Sequence, residues 1–303
     1  MLISAVCYVK LPQGIADRVK IQTFELLLRI SNEYLGHWVE FFFGPKLKHL
    51  SKYILPGPVD ECLKVATIFC EKLYQDYGID KEKIAIMGDS AGACLSTVIS
   101  RRLANAGKKY FKAQVLIYPV VSFDFQTPSF QHHYKEYPLT GLLNAGLLAR
   151  WMLLYIGIPA TNENVQKVIK NEHISEEVRK DPFISDSLDL KYLPSTFTQP
   201  EKYTKEGTSS PCPKLSSLYT PHPDLCPLIA EENGNSPDAM VITCGFDILA
   251  SEGILYARKL QRNGVMCTHR HYTAAYHGII NMPFSKQKDQ IINDIVKYLQ
   301  KRF

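Results

Sequence analysis

The sequence predicts an α/β fold, a doubly wound and mostly parallel sheet interrupted by one long helical insertion. Two observations indicate the sheet. Helical segments alternate with short apolar runs, and these runs lack the apolar–polar alternation that is typical of strands with one solvent-exposed face. A third observation indicates the insertion, because the rhythm is lost from about 121 to 237 and then resumes. With 46% apolar and 21% charged residues among 303, the composition is that of a globular protein with a sizeable core.

The first half of the sheet is predicted around a tight turn. A Leu-Pro-Gly-Pro breaker at 55–58 precedes a helix over 59–77. A strand follows over 83–87, then a helix over 91–106 that Gly107 ends, then a strand over 113–118. Strand, tight turn, helix and strand in this order are typical of a βαβ unit, so the two strands are expected to be parallel.

The second half of the sheet follows the insertion. Strands are predicted over 239–244 and 265–272, separated by a helix over 250–263 with Gly264 at its C-terminal end. A closing helix is predicted over 284–300. The insertion contains a helix-like stretch over 142–155 and a polar, Pro- and Ser-rich piece over 196–227. It is predicted to be a folded part and not a linker, because five apolar side chains require burial: Trp151, Met152, Leu153, Leu154 and Ile156.

Residues 1–54 are predicted to form a separate N-terminal helical segment. A helix over 16–42 is indicated by apolar residues at steps of three and four, and Gly44-Pro45 ends it. Its apolar stripe is expected to pack on the protein itself, with a membrane-surface face as the alternative. The apolar start, Met1 to Val9, has nine residues, too few for a membrane span or a secretion signal. It is expected to be a packed or frayed terminus.

Charge and cysteine content exclude several function classes. The net charge is +5 but no run of five or six Lys and Arg occurs, so no nucleic-acid partner is expected. The eight cysteines form no C-x-x-C pair, so neither a zinc site nor a thioredoxin-like site is indicated. His132 and His133 have no matching carboxylate or cysteine cluster. No metal ion and no cofactor is expected.

The candidate nucleophile lies in the tight turn. Gly88-Asp89-Ser90-Ala91-Gly92 is a G-x-S-x-G motif with a predicted strand before it and a predicted helix after it. In that context the glycines let the chain pass close by, and the turn lifts the Ser90 hydroxyl above the sheet. The Ala91 N–H, at the start of the helix, is then expected to face an oxyanion forming at Ser90.

A nucleophilic serine needs a base, and the base needs an orienting carboxylate. Asp247 follows the strand predicted over 239–244, at the carboxyl edge of the sheet where α/β active sites gather. His277 follows the next strand and precedes the last helix. The order Ser90, Asp247, His277 is the one expected for this kind of sheet. His269 and His271 fall inside a strand and are interpreted as packed or surface residues.

Four segments resemble the arylacetamide deacetylase family, in the hormone-sensitive-lipase branch of the α/β-hydrolases: GDSAG, VITCGFD, LYARKLQRNGV and YHG. The resemblance extends roughly over 55–303 and 8–39. It implies an α/β-hydrolase core over 55–123 and 235–303 with a cap over 124–234. It also implies hydrolysis of lipophilic esters or acyl amides, with Ser90 as nucleophile, His277 as base and Asp247 as its partner.

Location is also implied by the resemblance. The family points to the endoplasmic reticulum membrane, facing the lumen, and the N-terminal segment is where membrane association is expected. The short apolar start makes the cytoplasm the alternative.

Three departures from the family favour an alternative hypothesis, a catalytically weak or inactive shortened form that acts as a binding protein. The family carries a His-Gly-Gly loop whose N–H groups bind the oxyanion, whereas this chain has no Gly-Gly pair and its one His-Gly is at His277. As part of the same departure, the stretch expected between Val39 and Leu55 is missing, so the early strands are expected to be absent and a strand edge exposed. In addition, Thr273-Ala274-Ala275 replaces the family's acidic residues before the histidine, and the N-terminal anchor is cut down to Met1–Val9.

Overall fold

The computed structural model describes residues 14–17, 55–136, 143–197, 209–217, 221–231 and 234–303. Two predictions therefore fall wholly or mostly outside the described residues: the apolar start, and the N-terminal helix with its membrane-surface alternative. The polar piece predicted over 196–227 is described in part. Ala16 and Asp17 lie in a turn, so the start of the helix predicted at Ala16 is wrong.

The sheet has four parallel strands in the order β1-β2-β3-β4 over the described ranges. They are β1 Ala85–Asp89, β2 Ala113–Ile117, β3 Asp238–Phe246 and β4 Cys267–Tyr276. All four predicted strands and their parallel pairing are confirmed. β1 lies two residues later than predicted, so Gly88 and Asp89 belong to the strand. β4 extends to Tyr276, which brings its end directly to His277.

Helices flank the sheet and fill the insertion. α2 joins β1 to β2, α9 joins β3 to β4, and α10 closes the described chain. Within the described ranges, the α-helices of four or more residues are α1 Gly57–Ile68, α2 Ala91–Asn105, α3 Pro128–Glu136, α4 Ala145–Tyr155, α5 Asn162–Ile169, α6 Glu176–Lys180, α7 Pro182–Ser187, α8 Pro213–Ser216, α9 Ala250–Arg262 and α10 Lys286–Gln300.

Local sequence accounts for several of these boundaries. Side chains of Asn144, Thr161 and Ser285 accept a backbone hydrogen bond at the starts of α4, α5 and α10. Gly264 adopts φ +82° just past α9, as predicted. The single helix predicted over 59–77 is continued beyond α1 by a π-helical turn, Phe69–Leu73, which a 3.6-residue pattern does not reveal.

The two central strands, β2 and β3, are buried on both faces. On one face Val115 and Ile242 pack with Ile291 of α10. On the other face Leu116 and Val241 pack with helix α9. Because successive residues of a strand point to opposite faces, both faces demand apolar side chains, and the non-alternating runs in the sequence follow from this.

β1 forms one edge of the described sheet. Within the described ranges it pairs with β2 alone, and Met87 is 51% exposed, whereas every residue of β2 is buried. The strand that carries the G-x-S-x-G turn therefore has one side without a partner among the described residues.

The insertion packs around helix α4. Met152 and Leu153 are buried in one cluster with Phe125 and Phe130, and that cluster also contains Ile248, directly after Asp247. The prediction that Trp151 and Leu154 are buried is wrong, since they are 51% and 54% exposed. A helix on the surface of a domain buries one stripe, and these two residues lie on the other side.

None of the helices within the described ranges combines the length and the apolar character that crossing a membrane requires.

Two histidines, one fully buried and one half-buried, are held neutral by burial. His173 is fully buried with Nε2 3.1 Å from the Phe123 carbonyl oxygen, and burial lowers its pKa to about 3. Burial, assisted by neighbouring His271 and Arg258, lowers the pKa of His269 to about 4. In the unfolded chain a histidine titrates near 6.5, so between about pH 6.5 and 4 the unfolded state binds more protons than the folded state.

We therefore expect the free energy of unfolding to fall as the pH is lowered from 6.5 toward 5. Urea denaturation at several pH values measures it, and His269→Gln should reduce the slope by up to about 1.4 kcal/mol per pH unit. A stability independent of pH between 5 and 6.5 would contradict this account.

Candidate active site

Ser90 lies in a strained turn between β1 and α2. Its backbone has φ +54° and ψ −120°, a region that residues with a side chain rarely adopt. The Ser90 N–H donates a 2.9 Å hydrogen bond to the carbonyl of Ile117, the last residue of β2. The end of the neighbouring strand thus holds the turn in place and presents the hydroxyl at the carboxyl edge of the sheet.

The two glycines of the motif have unequal roles. A Cβ added to Gly88 would lie 2.3 Å from the carbonyl carbon and oxygen of Gly92, so no side chain fits there. A Cβ added to Gly92 would meet no atom within 4 Å. Gly88 is therefore the glycine that lets β1 and the first turn of α2 approach each other closely.

The structure brings the three predicted side chains together. His277 Nε2 lies 2.9 Å from Ser90 Oγ, and His277 Nδ1 lies 2.9 Å from Asp247 Oδ2. Asp247 is 2% exposed and its other oxygen accepts the Leu249 N–H at 2.9 Å. An imidazole held between a hydroxyl and a buried carboxylate can accept the hydroxyl proton while the carboxylate stabilises the resulting cation.

Ala91 is the first residue of α2 and is exposed beside Ser90. The N–H of a first helical residue makes no hydrogen bond within its own helix, and the helix start carries partial positive charge. Its position is the one predicted for an oxyanion donor.

Three further residues support the site and were missed as such in the sequence. Asp89 Oδ2 accepts hydrogen bonds from the Tyr118 hydroxyl at 3.2 Å and the Asn281 side-chain amide at 3.3 Å. The Tyr118 ring lies 4.6 Å from the His277 ring, centroid to centroid. Burial, and next the Asp89 charge, raise the pKa of Tyr118. Asp89 thus links the serine turn to the loop after His277. Its position inside the G-x-S-x-G motif is the sequence feature that could have indicated this role.

A buried carboxyl holds the loop after β2. Glu252 Oε1 accepts the N–H groups of Val121 at 2.8 Å and Ser122 at 3.3 Å, and burial raises the pKa of Glu252 well above its usual value. One residue earlier, the Ser251 and Ser129 hydroxyls bind each other's backbone N–H at 3.0 and 2.9 Å. The insertion is therefore fastened to the segment that follows Asp247.

Among the described residues, the other histidines and the cysteines form no comparable cluster. His269 and His271 lie in β4, as predicted, and each has a ring nitrogen 2.9 Å from the Thr243 hydroxyl. His132 is half-buried in α3, and the His133 side chain lies outside the described part. No group of three or more potential metal ligands occurs within the described ranges, and no disulfide joins the cysteines there.

Comparison with known families identifies the class of protein. Residues 51–197 and 212–281 match a family described as alpha/beta hydrolase fold. Arylacetamide deacetylase of Bos taurus is 30% identical over 290 residues, which cover 91% of this chain and 68% of that protein. The chain belongs to the α/β-hydrolase fold family and, within it, to the arylacetamide deacetylase family.

Other relatives are also similar to this chain, and their sequences are longer. Arylacetamide deacetylase of Mus musculus is 29% identical over 76% of this chain, and the match covers 57% of that protein. Neutral cholesterol ester hydrolase 1 of Bos taurus is 28% identical over 75% of this chain and 56% of its own length. The chain thus spans little more than half the length of these two relatives.

Solved structures show the same fold. A structure from work on two fungal esterases from Rhizomucor miehei is 25% identical with a TM-score of 0.53, covering 83% of this chain and 60% of that one. A hyperthermophilic esterase from Pyrobaculum calidifontis is 24% identical with a TM-score of 0.55, covering 83% and 63%. The predicted fold class is confirmed.

The contrast between the two glycines of the motif gives a matched test. Gly88→Ala should lower the midpoint of thermal unfolding, because Gly88 and Gly92 backbones must separate; a cost of about 1–3 kcal/mol is expected. Gly92→Ala should leave the midpoint unchanged or raise it, since alanine favours a helix and meets no atom. Circular dichroism melts measure both, and equal stability of the two variants would contradict the described packing.

Proposed function

We propose that this chain is a serine hydrolase of carboxylic esters, with acyl amides as further substrates. The observation that carries the proposal is the hydrogen-bonded triad of Ser90, His277 and Asp247. The distance is 2.9 Å both from Ser90 Oγ to His277 Nε2 and from His277 Nδ1 to Asp247 Oδ2. Membership of a family whose named members include deacetylases and an ester hydrolase supports it. No cofactor is needed for this chemistry.

In the proposed reaction Ser90 Oγ attacks the acyl carbonyl carbon while its proton moves to His277 Nε2. Asp247 keeps Nδ1 protonated and stabilises the imidazolium. His277 then donates the proton to the leaving alcohol or amine, and an acyl-enzyme ester forms on Ser90. Water, deprotonated by His277, hydrolyses that ester and restores the serine. The Ala91 N–H is the proposed donor to the oxyanion in both steps.

We further propose that the acyl compounds are lipophilic. The insertion places a buried apolar cluster, built around Met152 and Leu153, in contact with Ile248 and Leu249, next to Asp247. The insertion beside Asp247 is therefore mainly apolar, and this favours a lipophilic acyl group at Ser90. The names of two relatives, an arylacetamide deacetylase and a cholesterol ester hydrolase, support this substrate class.

A weak or inactive form is the alternative, and one observation favours it. The chain contains no Gly-Gly pair, so the loop that supplies oxyanion donors in the family has no counterpart of that kind in the sequence. Loss of a single oxyanion donor typically costs about 10²–10³ in kcat. In this alternative the triad of Ser90, His277 and Asp247 is present, but the protein serves as a binding protein.

Labelling with two fluorophosphonates, one bearing a decyl and one an ethyl chain, tests both parts of the proposal. We expect the folded protein to be labelled, and Ser90→Ala to abolish labelling because the nucleophile is removed. Ser96→Ala, at another serine of α2 that bonds the Gly92 carbonyl, is the matched control and should label normally. The decyl probe should react faster than the ethyl probe, since its chain is apolar.

Labelling that survives Ser90→Ala would refute the assigned nucleophile. A folded protein that reacts with neither probe would favour the inactive form, and faster reaction of the ethyl probe would refute the lipophilic preference.

A further inference from the structure

Residues 14–17, called here the N-terminal strap, lie against the end of β4, just before the proposed base. The Ala16 N–H donates a 2.8 Å hydrogen bond to the carbonyl oxygen of Ala274 in β4. We propose that the N-terminal strap positions His277, so that hydrolysis depends on these four residues. This inference rests on the proposed function, because it assigns His277 the role of the base.

The sheet alone holds the end of β4 weakly. Within the described ranges β4 pairs with β3 only, and the register of that pairing shifts between Cys244 and Phe246. Beyond the shift one residue pair is left, Phe246 with Tyr276. His277 follows this pair directly, so a small displacement of the strand end would move the imidazole.

The N-terminal strap binds the side of β4 that the sheet leaves open. A Cβ added to Gly245 of β3 would lie 2.2 Å from the Thr273 carbonyl oxygen, so this carbonyl faces β3. Carbonyl groups alternate in direction along a strand, so the next carbonyl, that of Ala274, faces away from β3. There it accepts the Ala16 N–H. The end of β4 is therefore held from both sides.

Packing joins the N-terminal strap to the residue before the base. Ile15 and Ala16 are partly buried and pack against the core cluster that contains Ala275 and Tyr276. Tyr276 is 2% exposed, and burial, and next the charge of the nearby Asp17 carboxylate, raise the pKa of its hydroxyl. The last two residues of β4 are thus enclosed by the core and the strap together.

The turn of the N-terminal strap depends on Asp17. Its φ of +54° lies in the left-handed region, which Asp and Asn enter more readily than other residues with a side chain. A β-branched residue is strained there. Asparagine at this position should therefore keep the turn, whereas valine should disrupt it.

The position of His277 has little tolerance. Its ring nitrogens must lie 2.9 Å from Ser90 Oγ and 2.9 Å from Asp247 Oδ2 at the same time. A misplacement of about 1 Å in an active site can cost a factor of about 10² in rate. The N-terminal strap lies outside 51–197 and 212–281, the ranges that match the α/β-hydrolase fold family. The base is therefore positioned in part by residues outside the matched core.

Two measurements on the full chain test the inference. Hydrolysis of a soluble acyl ester gives kcat and KM. Proton NMR at low temperature detects the downfield resonance of a histidine N–H bonded to a buried carboxylate, and His277→Gln assigns the resonance by removing it. The resonance reports the link from His277 to Asp247 whether or not the chain hydrolyses esters. Failure of the inference is therefore distinguishable from failure of the proposed function.

Two variants weaken the N-terminal strap in different ways. Ala16→Pro removes the N–H donor, and Asp17→Val disfavours the turn. In the folded protein each should lower kcat about tenfold or more, change KM less than twofold, and shift or broaden the downfield resonance. Ala16→Ser and Asp17→Asn are the conservative counterparts. They keep the donor and the turn and should retain the kcat and the resonance of the parent chain.

A strap that only stabilises the fold gives a different result. Ala16→Pro and Asp17→Val would then lower the midpoint of thermal unfolding, while the folded protein keeps the kcat and the resonance of the parent, and the inference would be wrong. A parent chain without the downfield resonance lacks the link that the strap is inferred to hold, which would also overturn the inference.

Discussion

The strained turn at Ser90 is the constraint on which the rest of the site depends. A residue with a side chain at φ +54° is held there by its surroundings, and two contacts provide the restraint. The Ser90 N–H bonds to the end of β2, and Gly88 allows the first turn of α2 to lie directly against β1. The Ser90 hydroxyl therefore has a fixed position at the carboxyl edge of the sheet. Asp247 and His277 have to reach that position from the ends of β3 and β4.

They reach it because all four strands are parallel. Parallel strands end at the same edge, so residues that follow β1, β3 and β4 in the chain become neighbours in space. Further polar contacts hold the segments that carry Ser90, Asp247 and His277 in place. Asp89 links the serine turn to Tyr118, which follows β2, and to Asn281, which lies in the loop after His277. Glu252 fixes the loop after β2, and the paired Ser129 and Ser251 fasten the insertion to the segment after Asp247.

Much of this arrangement was predictable because it follows from short-range patterns. The strands, the turn and the positions of Ser90, Asp247 and His277 at strand ends could be inferred from apolar runs and glycine spacing. The exposure of Trp151 and Leu154 could not, because an almost uniformly apolar helix does not reveal which stripe it buries. The roles of Tyr118, Asn281 and Glu252 also escaped prediction, since each depends on a contact between residues distant in the chain.

Such long-range contacts follow from how the segments pack, and sequence periodicity carries no information about them. Apart from residues 14–17, the N-terminal segment lies outside the described residues. The packing of its helix and the attachment to the endoplasmic reticulum membrane therefore stay predictions.

The central claim is that Ser90 and His277 work as one unit, and a double-mutant cycle on ester hydrolysis tests it most directly. The rate of one soluble acyl ester would be measured for the parent chain, Ser90→Ala, His277→Ala and the double variant. If the two side chains share one proton transfer, each single variant loses nearly all the activity and the double variant is no slower than either. If the two losses instead multiply in the double variant, the side chains act independently and the proposed mechanism is wrong.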